Sequence, residues 1–136
     1  MRFVFVLLLV LLSGCSDNSI VKIYDNSISD KKITCMRLVV FPPNEMIEIT
    51  LKNKFTFEDS CDLRLEVFTK GNIHCNSNQN SQTKALGSMP SSYLRMKITK
   101  DNKTLYSYYI DIKDEIKDTH IKAGFSKMQK DLIIVR

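Results

Sequence analysis

Residues 61–67, Cys-Asp-Leu-Arg-Leu-Glu-Val, alternate apolar and polar without a break. Successive side chains on a strand point to opposite faces, so Cys61, Leu63, Leu65 and Val67 share one face while Asp62, Arg64 and Glu66 share the other, which reads as solvated. A strand of this kind has one buried side and requires a sheet. A second alternation follows, with Leu94, Met96 and Ile98 set against Arg95 and Lys97. Asp101-Asn102 tolerates positive φ and predicts a tight turn. The chain then returns with Tyr106, Tyr108, Ile110 and Ile112 on one face. The tyrosines are expected to cover the sheet with their hydroxyls reaching solvent at its rim. Stacking on a ligand is the sharper role for them and the less common one.

Other segments fit the same architecture. Ile20–Tyr24 reads as a short first strand, followed by turn residues in DNSISDKK. Ile33–Phe41 reads as a strand stopped by Pro42-Pro43, which cannot continue a ladder. In 46–51, Ile47, Ile49 and Leu51 alternate with Glu48 and Thr50, predicting another strand that turns at 52–54 into a hairpin with Phe55-Thr56-Phe57. Lys70-Gly71-Asn72 turns the chain toward Ile73–Cys75. Residues 76–91 lack large apolar side chains and any period, which predicts a long exposed loop, functional or simply solvated.

The tail changes period. Ile121, Phe125, Met128 and Leu132 are spaced four, three and four apart, one stripe of a helix. Asp118 or Thr119 can cap its start, and Lys127 and Lys130 suit its end. Gly124 within it costs about 1 kcal/mol of helix propensity. The closing Leu-Ile-Ile-Val-Arg extends the helix or forms an edge strand. The expected fold is mainly β (α+β), a small antiparallel sheet or β-sandwich with one C-terminal amphipathic helix docked on it.

The N-terminus has a different logic. Phe3–Leu12 is unbroken hydrocarbon behind one cation, Arg2. Ten helical residues rise about 15 Å, half the bilayer core, so the run is too short to span. A charged start, short apolar centre and small residues at the end describe a secretory signal peptide rather than a buried first helix. Leu12-Ser13-Gly14-Cys15 resembles the lipobox of bacterial lipoproteins at all four positions. The resemblance covers about the first 18 residues. It implies cleavage before Cys15 and acylation of that residue by three chains, where two membrane signals already give stable anchoring. It also implies that Ser16, rather than Asp, after the cysteine permits export to the outer membrane. The expected organisation is a signal peptide over 1–14, a lipidated tether over 15–19 and one β-rich domain over 20–136.

Without the leader, 122 residues remain, enough for one domain. The mature chain carries 19 cations against 15 acids. Its lysines are spread rather than striped with aromatics, which speaks against nucleic acid. With Cys15 assigned to lipid, Cys35, Cys61 and Cys75 face an oxidising compartment, which predicts one disulfide and one further thiol. Cys35–Cys61 is the expected pair, because both lie on strands that share a core. Cys61–Cys75 closes a shorter loop and is the rival. A zinc site is disfavoured: the chain has no C-x-x-C pair and two histidines, and His74 and Cys75 would point to opposite faces of a strand.

No nucleophile elbow, metalloprotease motif or P-loop occurs. A nucleophilic pair of Cys75 or Cys35 with His120 has no motif around it. The sequence therefore points to a protein that binds, without catalytic residues, metal or cofactor. Its partners are expected to be membrane lipid, through Cys15, and an envelope protein. One reading is an accessory, pilotin-like lipoprotein of an outer-membrane secretion or pilus assembly, facing the periplasm. Another is a surface lipoprotein that excludes phage or plasmids or inhibits a foreign protein. For a lysozyme inhibitor the net positive charge is the wrong sign. A small hydrolase ranks below both.

Overall fold

The computed structural model describes residues 18–71 and 91–136. The segment 1–14 expected to be a signal peptide, Cys15, His74, Cys75 and all of the 76–91 segment but Ser91 lie outside them. The described elements run β1 (Ile20–Ile23), β2 (Arg37–Phe41), α1 (Glu45–Lys52), β3 (Arg64–Lys70), β4 (Ser92–Lys100), β5 (Lys103–Ile112) and α2 (Asp118–Asp131), with a 3-10 turn at Asn26–Ile28. The strands form one five-stranded sheet in the order β1-β5-β4-β3-β2. This is the α+β fold with a C-terminal helix that the alternating segments predict.

The hairpin β4–β5 turns at Asp101 and Asn102, whose φ angles are 49° and 62°. Leu65, Val67, Leu94, Met96, Ile98, Tyr106 and Tyr108 are buried on one face of the sheet. The stripe Ile121, Phe125, Met128 and Leu132 is buried against that face. Gly124 lets α2 come close: a Cβ there would lie 2.9 Å from Tyr108 Cε1 and 3.2 Å from Met96 Sδ. The residue that weakens the helix locally is thus the one that allows it to seat.

Residues 46–51 do not form a strand. Asn44 caps a helix, its Oδ1 accepting from the Ile47 N–H at 3.2 Å, and Glu45 and Glu48 in the first turn suit the dipole. Ile47, Thr50 and Leu51 are buried at helical spacing, and Ile49, which alternation would place inside, is 52% exposed. Phe55 is buried in the core, and neither it nor Phe57 belongs to a strand. Because α1 carries the chain back across the sheet, β2 and β3 pair in parallel, Arg37 opposite Arg64 and Phe41 opposite Phe68. The sheet is therefore mixed rather than wholly antiparallel, and helices rather than a second sheet cover its buried face.

Three further details differ from expectation. The N-cap of α2 is Lys117, whose N–H donates to His120 Nδ1 at 2.9 Å, rather than Asp118 or Thr119. Tyr106 does not reach solvent: its buried hydroxyl donates to Asp131 Oδ2 at 2.8 Å. The C-terminal segment neither extends α2 nor forms a full strand, and Ile134 makes an isolated parallel bridge with Ile33.

Candidate binding surface

Cys35 and Cys61 are joined in a disulfide, with their Cα atoms 5.6 Å apart. Cys61 is buried and Cys35 exposed, so the bond lies where the core meets the surface. Among the described residues, Cys35, Glu58 and Cys61 form a group with ligand-type atoms within 4.8 Å of one another. Two of those atoms are sulfurs bonded to each other, and a metal needs thiolates. His120 caps a helix, and the Cys35 sulfur is in the disulfide, so these two do not form a nucleophile–base pair. Tyr106 is held by burial and by Asp131, which also accepts from Lys127 Nζ at 2.5 Å. This triad closes the end of α2 onto β5 and is structural.

The helices cover one face of the sheet, and no described element covers the other. On that open face, Tyr93 and Tyr109 stack with ring centroids 5.6 Å apart. The Arg95 guanidinium lies 5.8 Å and 5.6 Å from the two rings, within cation–π range. Lys97 Nζ lies 5.3 Å from the Phe68 ring, which meets the Phe41 ring at 6.4 Å. The acids nearby are engaged. Asp111 accepts from the Tyr109 hydroxyl at 2.7 Å, which raises that hydroxyl's pKa. Glu66 accepts from the buried Thr99 hydroxyl at 3.0 Å and pairs with Arg64 at 3.6 Å.

The two edges of the sheet differ. β1 begins at Ile20, directly after the segment 15–19 expected to be a tether. β2 is the far edge. The Arg37 N–H donates to Leu63 O on the β3 side, so by strand alternation the backbone groups of Leu38 and Val40 point outward. No described strand pairs with them. Val39 and Phe41 on the same edge are exposed large apolar residues. A groove lined by Leu38, Val40, Glu48, Lys52 and Phe57 runs between β2 and α1.

Period-2 reading places Arg95 and Lys97 on the polar face but names neither Tyr93 nor Tyr109; the tyrosines it singles out, Tyr106 and Tyr108, are buried on the opposite face. The aromatic cluster forms only when Phe41, Phe68, Tyr93 and Tyr109 come together from four strands. Its sequence signal was a set of large side chains at polar-face positions. The chain matches no protein-family model, no curated protein and no solved structure.

Proposed function

We propose that the protein is a lipid-anchored, non-catalytic accessory lipoprotein of the bacterial envelope. In this reading it is held at the outer membrane facing the periplasm and steadies or escorts a secretion or pilus component in a pilotin-like way. The opposition of the two sheet edges carries the reading. The edge nearest the lipobox cysteine enters from the tether, and the other presents the outward backbone groups of Leu38 and Val40 beside a groove of mixed apolar and charged side chains. An extended partner segment adds to such an edge through main-chain hydrogen bonds, with side-chain pockets supplying selectivity. Among the described residues no helix is long and apolar enough to cross a membrane; in this reading attachment is through Cys15.

The test is photocrosslinking in cells from position 39, in an otherwise native chain and in Val40→Pro. Proline removes the outward N–H of Val40 without removing a β2–β3 hydrogen bond. The expected result is one discrete envelope adduct that Val40→Pro abolishes while keeping the disulfide and the thermal melt. A folded Val40→Pro protein that forms the adduct equally well would overturn edge pairing.

A further inference from the structure

Ile20, Tyr109, Arg95, Phe68 and Phe41 occupy successive registered positions on all five strands, so a single row of side chains crosses the open face. At strand spacing the row is about 19 Å long. Its two ends are its most exposed members, Ile20 at 64% and Phe41 at 62%. The next row carries Lys22 and Lys97, also in register through Ser107. Among the described residues, Lys22, Arg95 and Lys97 form no ion pair; of the acids on this face, Glu66, in register with Lys97, pairs with Arg64, and Asp111 accepts from the Tyr109 hydroxyl. The face thus combines an excess of cations, Lys22, Arg64, Arg95 and Lys97 against Glu66 and Asp111, with aromatic and aliphatic side chains, spread flat rather than gathered in a cleft.

Position supplies a second observation. Ile20 is both the first residue of β1 and one end of the row. It lies five positions beyond Cys15, a span that fully extended reaches about 17 Å. A lipid on Cys15 therefore keeps this edge at the membrane surface, with the row leading away from it.

We propose that the open face lies against an anionic phospholipid bilayer, with Ile20, Phe41 and the tyrosines at headgroup level and Lys22, Arg95 and Lys97 facing lipid phosphates. This rests on the lipid-anchor reading above. Aromatic rings and long cationic side chains are suited to that boundary, because each places an apolar body beside a polar tip. Basic residues are drawn to an anionic surface. An acidic protein segment would use the same charges, but a face spread over five strands is better matched by a flat surface. Lying flat also holds the β2 edge at the level where a membrane-embedded partner emerges.

The chain has no Trp, so single reporters are unambiguous. Phe41→Trp and Tyr109→Trp report the open face, and Ile49→Trp, on the exposed side of α1, reports the helix layer. Each acylated full-length protein is reconstituted on vesicles of brominated phosphatidylcholine, with and without phosphatidylglycerol. The expected result is that both open-face reporters lose more than half their emission on anionic vesicles and Ile49→Trp keeps its own. Adding Lys22→Glu and Lys97→Glu to Phe41→Trp should restore emission. Proteins that float with the vesicles but show equal emission from all three reporters overturn the face assignment, as a face reserved for a protein segment would. Proteins that do not float overturn the anchoring reading itself, and this proposal with it.

Discussion

A Cβ on Gly124 would stand 2.9 Å from Cε1 of Tyr108, so α2 rests backbone-first on a buried tyrosine ring. Gly124→Ala gains about 1 kcal/mol of helix propensity. It also forces the ring or the helix to move, and overpacking costs about 1–3 kcal/mol. Net destabilisation is expected, seen as a melting temperature lower by a few degrees. A rise would show that the helix seats without strain.

Leu65 and Arg64 are neighbours on opposite faces of β3. Leu65→Asp buries an unpaired charge in a fully enclosed position and should abolish cooperative unfolding. Arg64→Ala removes a hydrogen bond to Asn102 and a partly exposed ion pair with Glu66, a loss of about 1 kcal/mol. Arg64→Asp would cost more, because the position is half-buried beside Glu66 rather than solvated. Thermal melts of the three variants should rank in that order, Leu65→Asp worst and Arg64→Ala mildest.

Burial, and then the Asp131 carboxylate that accepts its hydrogen bond, hold the Tyr106 hydroxyl well above the ordinary 10.0. The folded state therefore keeps its proton at pH values where the unfolded chain loses it. Stability from this group is complete below about pH 10 and declines as pH rises further. Tyr106→Phe should cost about 1–2 kcal/mol at neutral pH and flatten the alkaline decline. Denaturant midpoints at neutral and strongly alkaline pH would measure both effects.

The Cys35–Cys61 bond spans a sequence separation of 26. In the chain-entropy model that closure stabilises by about 3.5 kcal/mol. Cys35→Ser and Cys61→Ser should each lose stability of this order, and reductant should lower the melt of the native chain but not theirs. Non-reducing peptide mapping of exported protein should recover the Cys35–Cys61 peptide. A Cys61–Cys75 peptide in its place would refute the pairing.

Cys15→Ser should give a protein that takes up no palmitate analogue and leaves the membrane fraction or retains its leader. The motive is the resemblance of residues 12–15 to a lipobox behind a run too short to span. Equal labelling of Cys15→Ser and native protein would refute the anchor.

Elements whose burial follows period 2 over several residues were legible directly: β3, β4 and β5 and the inward positions of Leu65, Met96 and Tyr108. The stripe from Ile121 to Leu132 was equally clear at helical spacing. Residues 46–51 were not, because Ile47 and Leu51 suit both a strand alternation and a helical i, i+4 pair. Three β-branched residues favoured the strand, and tertiary packing overrode that preference. Asn44 as a cap with Glu45 and Glu48 behind it was the signal for α1. The open face was legible only in part, since its cluster depends on a parallel β2–β3 pairing that the missed helix creates.

That pairing has a covalent counterpart. Cys35 precedes β2 and Cys61 precedes β3, and the offset between paired residues, Arg37 with Arg64, is one residue longer than the offset between the cysteines. The bond therefore acts as a registration pin: sliding β2 along β3 would have to stretch it. In a sheet, a slip of one residue exchanges the buried and exposed faces. A parallel pair also has no tight turn to set its alignment. Oxidation before the sheet assembles would fix that alignment in the still unfolded chain, and chains oxidised late would reach the correct alignment only by trial.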